Sequence, residues 1–176
     1  EFIVGRAGDD AMFGFGGNDR MFGGADNDSI EGGAGEDLLI GNDGDDTILG
    51  GSGNDVLKGK TGADYLDGGS GDDRLYGDSG SDVLLFGAGN DILRGDRGKH
   101  GPQEADTYVL DTLDNGHDRI IDFSASDRID LMGADYVLDI ASKGHLAVVD
   151  IVLGGTITNR ASDGTDLKVL GDSIFL

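Results

Sequence analysis

Cysteine is absent from this 176-residue chain, which excludes a disulfide framework and any zinc–thiolate site. Basic residues are scarce: 13 Lys plus Arg stand against 35 Asp plus Glu, a formal net charge of −22. A surface this acidic repels nucleic acid and anionic membranes and attracts cations. No apolar run approaches the ~18 residues that a membrane-spanning helix requires. No N-terminal stretch reads as a signal peptide. The chain opens in mid-pattern at Glu1-Phe2-Ile3-Val4 and reads as a piece of a longer protein. Catalytic signatures are missing too. There is no HExxH and no GxSxG. Gly77-Asp78-Ser79-Gly80 has the form of a serine-nucleophile motif but lacks a His-Asp context, and His100, His117 and His145 stand alone. Asp43-x-Asp45 lacks the twelfth-position glutamate of an EF-hand. The chain is therefore expected not to be an enzyme, whatever the protein it belongs to does.

Glycine is what the chain has in quantity, with 34 residues. High glycine with high net charge ordinarily signals disorder. Yet 37% of the residues are apolar, and their placement is regular. From Gly5 the sequence aligns in steps of nine: GRAGDDAMF, GFGGNDRMF, GGADNDSIE, GGAGEDLLI, GNDGDDTIL, GGSGNDVLK, GKTGADYLD, GGSGDDRLY, GDSGSDVLL and FGAGNDILR. These ten rows end at Arg94 without an insertion. Position 1 is glycine except at Phe86, and position 4 is glycine except at Asp26. Position 6 is always aspartate: Asp10, Asp19, Asp28, Asp37, Asp46, Asp55, Asp64, Asp73, Asp82 and Asp91. Position 8 is always a large aliphatic, from Met12 and Met21 through Leu57 to Leu93.

So short a fixed period is the mark of a solenoid. Collagen would need glycine every third residue, and this glycine density breaks helices. The pattern predicts a strand of about three residues and a turn of about six per row, with position 8 stacked into a narrow shared core. Glycines at positions 1 and 4 are expected to supply positive φ and close backbone approach. Asn18, Asp45, Asn54, Asp72 and Asn90 at position 5 are expected to occupy the left-handed region as well. A tight loop with inward carbonyls and one carboxylate is an oxygen cage suited to Ca²⁺, which takes six to eight oxygens. One aspartate per turn is too few, so two stacked turns must share each ion. Turn capping alone would not demand aspartate in all ten rows, because asparagine caps equally well.

These rows resemble the G-G-x-G-x-D-x-U-x nonapeptide of the RTX (hemolysin-type calcium-binding) family. The resemblance implies an all-β, right-handed parallel β-roll. Six residues of each row would bind calcium and three form a strand, with successive turns on opposite edges. Each ion would then lie between row n and row n+2. One edge would carry Asp10, Asp28, Asp46, Asp64 and Asp82, and the other Asp19, Asp37, Asp55, Asp73 and Asp91. That arrangement gives about eight ions, whose charge roughly offsets the surplus of 19 acids over 6 bases in residues 5–94. The apo chain is expected to be unfolded, with folding coupled to calcium binding. Asp26 distorts its turn or adds a carboxylate, Lys60 brings a positive charge, and Phe86 weakens the turn of Asp91.

After Arg94 six residues are inserted before Ala105-Asp106-Thr107-Tyr108-Val109 restores the end of a row, making Asp106 a further candidate ligand. The insert holds Pro102, the only proline, and the basic residues Arg94, Arg97, Lys99 and His100, and it reads as a surface loop. Asp118-Arg119-Ile120 and Asp127-Arg128-Ile129 keep the rhythm without the glycines, which predicts continued coils with little calcium. This GxDRIxDF…DRIDL segment is similar to the one found just after the repeats in serralysin-type proteases and mannuronan epimerase R-modules. The remainder predicts strands at 146–153, 156–158 and 167–170, a short helix at 134–142, and a β-rich cap over the open end of the roll. The terminal Asp172-Ser173-Ile174-Phe175-Leu176 resembles the C-terminal signal of type I secretion substrates.

The expected organisation is thus a β-roll at 1–103, with a basic loop at about 94–103. A degenerate coil, cap and secretion signal occupy 104–176. The resemblance implies an extracellular calcium-binding module that folds outside the cell and supports export and folding of a covalently attached N-terminal exoprotein. Its partners would be calcium and the type I secretion apparatus. The alternative is a module of an epimerase or adhesin that binds a polysaccharide.

Overall fold

The computed structural model describes residues 1–96, 104–110, 117–124, 126–131, 136–143, 146–153, 168–170 and 173–175. In chain order its strands are β1 (Phe2–Ala7), β2 (Ala11–Phe13), β3 (Arg20–Ala25), β4 (Ser29–Ala34), β5 (Leu38–Asp43) and β6 (Thr47–Ser52). Next come β7 (Val56–Thr61), β8 (Tyr65–Ser70), β9 (Arg74–Ser79), β10 (Val83–Leu85), β11 (Ile92–Asp96) and β12 (Thr107–Leu110). The last six are β13 (His117–Phe123), β14 (Arg128–Leu131), β15 (Tyr136–Lys143), β16 (Leu146–Leu153), β17 (Lys168–Leu170) and β18 (Ser173–Phe175).

Two sheets result. One runs β1-β3-β5-β7-β9-β11-β13-β16-β15, the other β2-β4-β6-β8-β10-β12-β14-β18-β17. Odd and even rows therefore lie on opposite sheets, and two rows make one coil. The strands stack in parallel at a constant offset: Leu39 pairs with Leu57, and Leu57 with Leu75. The structure is a parallel β-roll: the stacked solenoid that the period predicts, in the form that the resemblance implies. The position-8 residues form the core between the sheets: Met21, Leu39, Leu57, Leu75 and Leu93 on one side face Ile30, Ile48, Leu66 and Leu84 on the other, and all are buried.

Most regular strands are six residues long rather than three. Ladder pairing resumes at positions 2 and 3 of the following row, as in Asn42↔Lys60 and Asp43↔Thr61. Backbone pairing needs no side chain to bury, so the glycine-rich half of each row joins the sheet too. The true turn shrinks to the few residues before the aspartate.

The stack continues past the insertion. Val83 pairs with Thr107, Ile92 with Arg119 and Thr107 with Arg128. Beyond β13 and β14 the parallel rule ends: β16 and β15 add to one sheet as antiparallel strands, β18 and β17 to the other. The helix expected at 134–142 is instead strand β15, paired along its full length with β16. Cross-strand pairing overrides weak local helix preference here. The strand expected at 156–158 and most of the basic loop (97–103) lie outside the described residues.

Candidate metal centre

Row 6 shows how each turn is built. Asp55 is fully buried, yet it is a carboxylate. Its Oδ1 accepts the Asp37 backbone N–H at 2.8 Å, and its own N–H donates to Asp73 Oδ1 at 2.8 Å. Its Oδ2 is buried without a hydrogen-bond partner. Gly50, at position 1, leaves a hollow beside that oxygen. A β-carbon placed there would lie 2.6 Å from Asp55 Oδ2 and 2.5 Å from the Gly68 carbonyl oxygen of the next coil. Gly50 does not take positive φ; its value is the room it leaves, whereas Gly53 at position 4 does supply the left-handed φ of 122°. Two oxygens from two successive coils thus converge where a side chain would otherwise stand.

The arrangement repeats along both edges. On one edge the N–H of Asp10, Asp28, Asp46, Asp64 and Asp82 donates to Oδ1 of Asp28, Asp46, Asp64, Asp82 and Asp106 in turn, at 2.8–3.0 Å. On the other, Asp19, Asp37, Asp55, Asp73 and Asp91 are linked by the same bonds, and Asp91 N–H continues to Asp118 Oδ1. The Glu1 amino group donates to Asp19, in the place of a preceding aspartate. The outer oxygens of Asp10, Asp19, Asp28, Asp37, Asp46, Asp64, Asp73, Asp82 and Asp106 are buried without hydrogen bonds, like that of Asp55. An uncompensated buried carboxylate oxygen is costly, so the set calls for cations. Asparagine would carry amide hydrogens into a hollow already faced by a carbonyl and needing a donor-free oxygen.

The electrostatics agree. Burial, reinforced by neighbouring carboxylates and opposed by the backbone N–H bonds, raises Asp46 and Asp55 to about 6, Asp64 and Asp82 to about 7, and Asp73 and Asp106 to about 8. Asp28 and Asp37, nearer β1, are raised for the same leading reason. Among the described residues no three carboxylate or imidazole side chains cluster as a metal site. An ion between two coils would draw its oxygens from single carboxylates and backbone carbonyls, a donor set that suits a hard cation such as Ca²⁺ rather than Zn²⁺.

The structure corrects several details. Among the described residues the non-glycine ones at positive φ are Arg6, Phe15, Asn42, Lys60 and Asp78 at position 2 and Asp26 at position 4. The position-5 Asx residues are not among them. They instead form a second ladder: Asn18 Oδ1 accepts Glu36 N–H, Asn54 Oδ1 accepts Asp72 N–H, and Asp72 Oδ1 accepts Asn90 N–H. Side-chain acceptance across coils explains Asx there without left-handed backbone. Asp26 accepts Gly8 N–H through Oδ2 at 3.1 Å, and Lys60 pairs with Asp78 at 2.9 Å. Phe86 turns its ring into the core, and Asp91 keeps its place in the ladder.

Sequence reasoning missed two ladder members. Asp118 accepts from Asp91, and Asp127 accepts Asp106 N–H at 3.1 Å. The repeated Asp-Arg-Ile nine residues apart carried that signal, but the lost glycines obscured it. Asp127 differs from the repeat aspartates in that its second oxygen accepts Ser124 N–H at 2.7 Å.

The family model described as RTX calcium-binding nonapeptide repeat (4 copies) matches residues 1–30, 22–57, 49–84, 58–93 and 87–99. The matches together span more than half of the chain. No curated protein matches it.

Proposed function

The chain belongs to the RTX calcium-binding nonapeptide-repeat family, and from that premise we propose that Asp10, Asp19, Asp28, Asp37, Asp46, Asp55, Asp64, Asp73, Asp82, Asp91 and Asp106 hold its calcium. A calcium-binding β-roll is what the family and the fold establish; which residues bind, and how many ions, is our assignment. The observation that carries it is the buried, partnerless Oδ2 of repeat aspartates such as Asp55, facing a glycine hollow and a carbonyl of the next coil. Two-coil sharing leads to about eight ions. Each ion would supply the positive charge that the buried carboxylates lack. Folding is then linked to calcium: the chain stays open where calcium is scarce and closes where it is plentiful.

That linkage suits a module which travels unfolded through a type I secretion apparatus and folds outside the cell, carrying an attached N-terminal exoprotein. We place the roll at residues 1–103, and the degenerate coil, cap and secretion signal at 104–176. The family itself is a structural calcium-binding one, so any catalysis is assigned to the attached protein. Far-UV circular dichroism in EDTA and then in calcium, at mildly alkaline pH, tests the linkage. A β spectrum that ignores both additions overturns it.

A second reading is polysaccharide binding, favoured by one observation. A groove along the edge of β3, β5 and β7 is lined by Asn18, Asp19, Arg20, Glu36, Asp37, Leu38, Asn54 and Val56. Amides, carboxylates, a guanidinium and apolar side chains together suit sugar hydroxyls and ring faces. Calorimetry of the calcium-loaded chain against alginate and neutral glycans decides it: heat that saturates supports binding, and none removes it.

A further inference from the structure

The last glycine hollow on the Asp106 edge is built differently from those at Gly5 and Gly23 on the same edge. Gly95 stands at position 1 of the row that Asp106 completes, and a β-carbon placed there would overlap Asp106 Oδ2. In rows 1, 2 and 6 the next oxygen at the hollow is a carbonyl of the following coil: Gly23 for Gly5, Gly32 for Gly14, Gly68 for Gly50. At Gly95 it is the phenol oxygen of Tyr108, 2.7 Å from the same point. Tyr108 occupies position 8, where every earlier row has an aliphatic residue, and its ring is fully buried against Phe123. Its hydroxyl accepts Gly95 N–H at 2.8 Å and donates to Asp122 Oδ1 at 3.1 Å. Asp122 in turn takes position 1 of the following row on this edge, also accepts Gly95 and Asp96 N–H, and pairs with Arg94 Nε at 3.7 Å. Asp106 is 1% exposed, and its Oδ2 has no hydrogen-bond partner.

We propose that Asp106 and Tyr108 form a terminal cation site in which a phenol oxygen takes the part played elsewhere by a backbone carbonyl, with Asp122 as the positioning residue that takes the phenol's proton and turns its oxygen to the hollow. The inference rests on the calcium reading above and adds two side chains that the repeat pattern does not contain. The ligand is a hard, oxygen-seeking cation, and a neutral phenol oxygen beside the partnerless carboxylate oxygen of Asp106 is a donor pair such a cation accepts. The column stops there for a visible reason. Asp127, one coil further on, has both oxygens satisfied by the N–H groups of Asp106 and Ser124.

The test is equilibrium dialysis of the whole chain against calcium, with circular dichroism to confirm the folded state. Tyr108→Phe keeps the ring and removes only the oxygen; Asp122→Asn keeps the hydrogen-bond acceptor and removes the charge. The expected result is one bound ion fewer than wild type for Tyr108→Phe and the same loss for Asp106→Asn, with the remaining ions bound at unchanged affinity. Asp122→Asn should weaken that one ion at least tenfold. Should Tyr108→Phe fail to fold, the Asp122→Asn result decides. Full stoichiometry and affinity in Tyr108→Phe, or an unchanged last ion in Asp122→Asn, overturns the terminal site while leaving the repeat sites standing. A wild-type chain that binds no calcium would instead remove the reading beneath it.

Discussion

Through residues 1–96 each coil repeats the one before it, with aspartate N–H groups reaching the next aspartate 18 residues on. After the insertion the same bond spans 24, 27 and 21 residues, and both sheets finish in antiparallel strands. The backbone logic is shared: a parallel ladder, a position-8 side chain in the core, a carboxylate at each turn. What differs is how the turn is satisfied. The regular turns leave one carboxylate oxygen of repeat aspartates such as Asp55 and Asp64 without a partner in the chain. The turn at Asp127 closes on Ser124 and needs nothing further. A regular period thus repeats a turn whose outer carboxylate oxygen lacks a partner, whereas the irregular end keeps such an oxygen at Asp106 and closes it within the chain at Asp127. The antiparallel strands serve the same end, because they cover edges that a parallel stack would leave open to further pairing.

The contrast can be broken most forcefully through pH without calcium. In the folded stack Asp46 and Asp55 titrate near 6, Asp64 and Asp82 near 7, and Asp73 and Asp106 near 8, all above the unfolded value of 3.8. A raised carboxyl favours the fold only while it holds its proton. Its contribution is complete below the unfolded pKa and disappears as pH climbs through the folded values. Chelated protein should therefore keep β signal at about pH 4 and lose it by about pH 8.5. Circular dichroism across that range in EDTA checks this, and a flat profile would mean that the ladder carboxylates do not govern stability.

In calcium, truncating the core ladder should come next. Leu57→Ala, at a fully buried position, is expected to cost about 2–5 kcal/mol in urea denaturation. A cost under about 1 kcal/mol would mean that the narrow core carries little of the stability. Asp55→Asn ranks third. Losing one ion present at 100 times its Kd removes about 2.7 kcal/mol, and dialysis should count at least one ion fewer. Asp127→Asn sharpens the comparison from the other side, with unchanged calcium stoichiometry and a loss of about 1 kcal/mol. If the two variants lost calcium alike, the distinction between the turns would collapse. The smallest effect is expected at Asn42, held at φ 88° in the middle of the regular stack. Asn42→Gly should gain up to about 1 kcal/mol by relieving that conformation, visible as a raised midpoint in calcium.

The regular part was readable because one set of constraints acts on every row. Position 8 must enter the core and position 6 must carry the carboxylate, so ten rows agree on both, and the neighbours of Asp55 in space are Asp37 and Asp73 as two rows per coil requires. Strand length was not readable, because the ladder at positions 2 and 3 is made by backbone groups and requires no side chain there to enter the core, so Asn42 and Asp43 carry no strand signature. Nor was the role of Asn18 or Asn54 at position 5, since an Asx residue looks the same whether it tolerates left-handed φ or accepts a bond from the next coil. Tyr108 and Asp122 were hidden for another reason. Tyrosine at a core position reads as packing, and only the fold brings its hydroxyl to Gly95 and Asp122, fourteen residues along the chain.

The constant offset also has a mechanical meaning. Strands in both sheets lie across the direction in which coils are added, so a pull along the stack loads the inter-coil hydrogen bonds a few at a time rather than all together. Coils should peel away singly, each 18-residue turn releasing about 60 Å of extended chain. Under tension the regular stack would behave as a ruler with evenly spaced graduations, and the unequal coils after the insertion would be where the spacing changes.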